Sequence, residues 1–198
     1  MKKSILMRLG PAVVVLLIIA VVSVTSVNGY KKLVRLQRNV DSRWSDVDKQ
    51  YQSRALLVPT LIQTLSAETN FDKAILTELA QAREKVDAIK LDPNQAPADA
   101  DQFQQYVQAQ QTLTKALSHV LMTTLKDPFL RTNKNLRTLE VEIIESGNRL
   151  AIVQNRFDKV VQIYNATVHN FPTAVEATVL GFKPRVSFQD QKAAAADK

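Results

Sequence analysis

From Leu33 onward the apolar positions fall at Leu36, Val40, Trp44, Val47, Tyr51, Ala55, Val58, Ile62 and Leu65, every step three or four residues. That spacing lines one face of an α-helix. Trp44 and Tyr51 lie on the stripe, so packing is their first expected duty. Pro59 leaves the phase intact. It removes one backbone hydrogen bond and crowds the carbonyl four residues back, which predicts a kink in one long helix, with a break into two as the second choice.

A second stripe, Ile75, Leu79, Ala82, Val86 and Ile89, predicts a helix capped by Thr69 or Asn70, or one that continues the first. The following "LDPNQAPADADQ" reads as a loop. Phe103, Tyr106, Gln110, Leu113, Leu117, Val120 and Thr124 form a third stripe. Asp127-Pro128 then predicts a cap and a first-turn proline. The longest stripe runs Leu139, Ile143, Ser146, Leu150, Val153, Phe157, Val161, Tyr164, Val168 and Phe171, with Pro172 as its stop. Gly147 inside it is unfavourable by about 1 kcal/mol against alanine at an exposed site, which close approach of a neighbouring helix would offset. Four long stripes, short links and no strand pattern predict an all-α fold: an antiparallel bundle of about four helices, kinked at Pro59. The short third-to-fourth link predicts that those two helices are neighbours.

The N-terminus follows another pattern. After the basic head at residues 1–8 come 19 residues, Leu9 to Val27, without a formal charge. As a helix they reach roughly 28 Å, close to the hydrocarbon thickness of a bilayer. Leu9, Val13, Leu16, Leu17, Ile18, Ile19, Val22 and Val27 are the expected membrane anchor. The run ends "SVTSVNG", a poor cleavage site, so an uncleaved single-pass anchor is expected rather than a signal peptide. Residues 28–188 then form the bundle and 189–198 a flexible tail. Lys2, Lys3 and Arg8 face Lys31, Lys32, Arg35, Arg38 and Arg43 across the run, a count that slightly favours a cytoplasmic bundle. Long domains translocate largely regardless of charge, and carrying three cations outward opposes the membrane potential. The expected location is therefore the bacterial inner membrane with the bundle outside the cytoplasm, the cytoplasmic orientation staying open.

Composition narrows the chemistry. There are four glycines, widely separated, and no cysteine, which excludes a glycine-rich phosphate loop, disulfides and thiolate chemistry. The net charge of +7 is scattered along helical faces rather than gathered with aromatics, so no nucleic-acid partner is expected. His119 and His169 are the only histidines, and no E-x-x-H pair occurs, which removes the di-iron bundle. Glu140, Glu142 and Glu145 read as solvated carboxylates. No catalytic residue, metal or cofactor is expected, and no enzyme activity.

One echo stands out. Asn148-Arg149 recurs seven residues later as Asn155-Arg156, so the two pairs share a helix face with the arginines at the edge of the apolar stripe. These four residues are the candidate interface. The competing readings are arginines that cover apolar surface and pair with acids of a neighbouring helix, and direct lipid contact.

Two sets of residues carry a resemblance. The first is Tyr30, Leu33, Val34, Leu36, Trp44, Ser45, Val47, Asp48, Leu57, Val58, Pro59, Leu61 and Ile62. The second is Asn148, Arg149, Leu150, Ala151, Asn155, Arg156, Phe157, Tyr164, Asn165, Phe171, Pro172, Gly181 and Phe182. In these the chain resembles LemA family proteins over about residues 30–188, with Tyr30, Trp44, Asp48 and Pro59 as structural motif residues. Lys31, Ser53, Leu56 and Gly147 depart from the usual Asn, Arg, Asp and Glu. The resemblance implies a membrane segment followed by a helical bundle, and membrane association without an established enzyme activity. Relatives are linked to magnetosome membrane organisation, and the family often accompanies membrane proteases and envelope stress functions.

The expected function is a membrane-anchored helical scaffold or partner-binding protein of the bacterial envelope. Self-association is expected, and a membrane protein is a further candidate partner. The alternatives are a regulatory or chaperone-like partner of a membrane protease, and a carrier of lipid or another small ligand between its helices.

Overall fold

The computed structural model describes residues 29–170 and 173–191. The expected anchor residues from Leu9 to Val27, the Phe171-Pro172 pair and most of the tail lie outside them. Among the described residues there is no strand, and no helix is long and apolar enough to cross a membrane.

Helix α1 (Lys2–Ser66), followed here from Gly29, passes Pro59 without a break. The second choice of two helices therefore does not occur, and Pro59 itself sits on the exposed side. Helix α2 (Lys73–Asp87) is capped by Asp72, whose carboxylate accepts from the Ala74 N–H at 2.8 Å. This corrects Thr69 and Asn70. Residues 67–72 form turns that bury Phe71 beside Ile75, and only Asp72 then stands at the helix start.

Helix α3 (Ala100–Lys126) is capped by Asp99. Asp127-Pro128 does not open the next helix. Asp127 closes a local turn onto the Phe129 N–H, a short 3-10 turn follows at Leu130–Thr132, and Asn133 caps α4 (Lys134–His169). Two orphan N–H groups, of Asn135 and Leu136, find the Asn133 side chain, at 3.0 and 3.2 Å.

The stripes become the core much as their spacing implies. Val40, Trp44, Val47, Tyr51, Val58 and Leu65 of α1 are buried, as are Leu139, Ile143, Leu150, Phe157, Val161 and Tyr164 of α4. The two helices run antiparallel, Trp44 meeting Phe157 and, two turns on, Tyr51 meeting Gln154. Packing pairs α1 with α4 and α2 with α3. The expectation that α3 and α4 pack as neighbours is not met: their backbones make little close approach. Where they face each other at mid-bundle, α3 presents mostly glutamines and α4 presents the small Gly147 and Ala151 beside Leu150, so too few large side chains interdigitate to draw the backbones together. They meet instead through side chains such as Thr124, whose hydroxyl donates to Glu140 at 2.7 Å.

The core falls into two clusters. One gathers Val58, Leu61, Leu79, Leu113, Leu117 and Leu136; the other gathers Leu33, Trp44, Phe103, Phe157, Val161 and Tyr164. Trp44 is fully buried with its rings against Phe103, Tyr106 and Phe157. Its indole N–H donates to the Asp92 carbonyl at 2.8 Å, pinning the α2–α3 loop.

A fifth helix, α5 (Thr173–Val179), has no counterpart among the sequence stripes. It ends on Gly181, which at φ 75° takes the left-handed conformation. The Phe182 N–H reaches the Ala177 carbonyl at 2.9 Å and the Gly181 N–H reaches Thr178 at 3.4 Å, the paired bonds of a Schellman cap. Phe182 then lies edge-on to Tyr30. The following strap is tied to α4: Asn165 exchanges two bonds with the Arg185 backbone, and Asp158 accepts from the Phe188 N–H.

Candidate functional site

Two regions carry side chains that packing alone does not absorb. The first is the outer face of α4. Val141, Ile144, Ile152 and Ile163 are each more than half exposed, and Asn148 and Asn155 lie between them, exposed. At about 100° per residue these six positions fall within an arc of about 100°, opposite the buried stripe. Arg149 and Arg156 border this face on one flank. Arg149 pairs with Glu145 of its own helix at 3.2 Å, both side chains more than half exposed, and Arg156 is exposed. The expected candidate residues therefore share one solvated surface. Arg149 does not brace the bundle by pairing with an acid of a neighbouring helix. The exposed isoleucines follow Val141 at successive spacings of three, eight and eleven residues, all helical multiples that mark that face.

The second region is a polar layer between the two apolar clusters. Gln154 Nε2 donates to the Tyr51 phenol at 2.6 Å, and Tyr51 packs edge-on against Tyr106. Arg54 donates to the Thr114 hydroxyl at 2.9 Å. Gln110 is buried in the same layer. Burial pushes the phenols of Tyr51 and Tyr106 well above the ordinary tyrosine range. Burial also raises the Asp48 carboxyl, against a hydrogen bond from Gln52 that lowers it.

Of the motif residues, Trp44 and Asp48 are buried, Tyr30 is about half exposed and Pro59 is exposed. They form no single site. Trp44 and Asp48 support the second apolar cluster and the polar layer, while Tyr30 supports the α5 turn. Among the described residues no three His, Asp or Glu side chains come together as metal ligands. His119 instead meets Glu78 across the α2–α3 pair at 2.9 Å.

The fold is that of a helical-bundle protein, closed by a short fifth helix and a C-terminal strap, with exposed aliphatic residues along the outer face of α4. The chain belongs to the LemA family, whose model matches residues 43–198. That match covers the bundle from just before Trp44. A comparison with curated proteins finds no match.

Proposed function

We propose that this chain is a membrane-anchored scaffold that associates with further copies of itself through the outer face of α4, without catalysis. The observation that carries this reading is the stripe of Val141, Ile144, Ile152 and Ile163 held in solvent around Asn148 and Asn155. Val141, Asn148 and Asn155 are spaced by seven, the repeat of a helix-to-helix seam. Asparagine within such a seam favours register and partner choice over affinity. Chains inserted alike in one bilayer pair about an axis along the membrane normal, which sets like residues opposite each other.

The anchor is the uncharged run from Leu9 to Val27, retained in the mature chain, and the bundle lies outside the cytoplasm. Alkaline carbonate washing is expected to leave the protein in the membrane pellet. A soluble form beginning near Gly29 would remove the anchor from the account.

Burying four half-exposed aliphatic side chains contributes about 1 kcal/mol each before the costs of association. Cross-linking in native membranes followed by mass measurement is expected to show a defined oligomer. Ile144→Glu with Ile152→Glu should reduce it to the monomer while the far-UV circular dichroism is unchanged. An oligomer that persists in that variant argues against this face.

A further inference from the structure

Arg54 is 6% exposed, yet its guanidinium is only partly engaged. Nη1 donates to the Thr114 hydroxyl, and that hydroxyl in turn donates a hydrogen bond to the Gln110 backbone carbonyl at 2.8 Å. Nε is buried and has no hydrogen-bond partner. None of the ion pairs among the described residues involves Arg54. A buried cation of this kind is unfavourable unless something compensates it, and burial accordingly pulls its pKa below the usual arginine range.

The same arginine lines a cavity of about 580 Å³ between α3 and α4, within the range of small-molecule sites, roughly 300–1,000 Å³. Val107, Leu150, Ala151 and Phe188 supply an apolar wall, and Gln104, Gln108 and Gln111 form a polar rim along α3. Gly147 stands on the α4 side, where an added Cβ would meet nothing within 4 Å. The neighbouring helix expected to excuse this glycine does not approach it. What the missing side chain leaves is open space in the cleft.

We propose that the cleft between α3 and α4 binds a small amphipathic carboxylate, of the medium-chain fatty acid class, with its head group on Arg54 and its apolar body against Val107, Leu150 and Phe188. Arg54 is the only cation among the described lining residues, which matches one negative charge rather than a phosphate dianion. The planar guanidinium fits a two-oxygen carboxylate. Gln154 and the rim glutamines offer further donors to the same head group.

The test uses the full chain in phosphatidylcholine nanodiscs, titrated calorimetrically with octanoate and with uncharged octanamide, empty nanodiscs being subtracted. Octanoate is expected to bind saturably, one per chain, and at least about tenfold more tightly than octanamide, as befits a charge-assisted hydrogen bond. Arg54→Met should abolish that preference. Ala151→Phe, placed on the open wall away from the buried layer, should fill the cleft and abolish binding with helicity retained. It decides the matter should Arg54→Met fail to fold. Equal binding of octanoate and octanamide, or full octanoate binding by the folded Ala151→Phe variant, overturns the proposal.

Discussion

Gln154 of α4 donates its side-chain N–H to the phenol oxygen of Tyr51 on α1 at 2.6 Å, across the antiparallel pair that forms the backbone of the bundle. This bond lies where the two apolar clusters give way to a polar layer, and it keeps a buried hydroxyl satisfied.

The layer gives the bundle a pH dependence on the alkaline side. Burial raises the folded-state pKa of Tyr51 and Tyr106 above the unfolded value of about 10. A raised pKa means that the stability is fully present below the unfolded value and is lost as pH rises through the folded one. Above about pH 10 the loss approaches 1.4 kcal/mol per pH unit for each tyrosine. Melting temperatures measured from pH 8 to 11 are expected to hold until near pH 10 and fall above it, and Tyr51→Phe should flatten that fall relative to the native chain. Parallel curves for the two proteins would assign the loss to other groups.

Gly147→Ala should stabilise the bundle by about 0.5–1 kcal/mol, because the site is helical, partly open and free of any neighbour that a methyl would strike. Chemical denaturation measures this directly. A destabilised variant would mean that α3 approaches this point more closely than the cleft described here allows.

Much of this was legible in the chain itself, and the omissions have physical causes. The stripes through Trp44 and Phe157 define their faces because each helix is long enough to repeat its period several times. Helix α5 has seven residues, too few for a period to show. The hydrogen bonds of Asn165 and Asp158 to the strap join residues 20 and 30 positions apart, which no local pattern encodes. The cap at Asp72 was hidden among rival cap residues until the burial of Phe71 placed the turn. The cleft depends on two helices failing to close, a property of the assembled bundle. For the α4 face the signal was present: Asn148, Arg149, Asn155 and Arg156 were visible as an echo, and Ile144 and Ile152 were on the same side.

Arg149→Ala combined with Arg156→Ala should change the melting temperature little, since the exposed Arg149–Glu145 pair contributes only about 0–0.5 kcal/mol. Assembly in the membrane should weaken, because both arginines border the aliphatic stripe. Analytical cross-linking alongside a melt separates the two effects. Ready unfolding with normal assembly of the folded fraction would make these arginines supports of the bundle instead.

The central claim, self-association through the outer face of α4, is tested most directly by a single engineered thiol. The chain has no cysteine, so Ile152→Cys introduces the one thiol able to form a disulfide, at a position more than half exposed in the middle of the stripe. Mild oxidation in native membranes is expected to trap a disulfide-linked dimer at twice the chain's mass, while Lys115→Cys on the exposed side of α3 gives none. Monomer alone from Ile152→Cys, or equal dimer from both positions, would contradict the account.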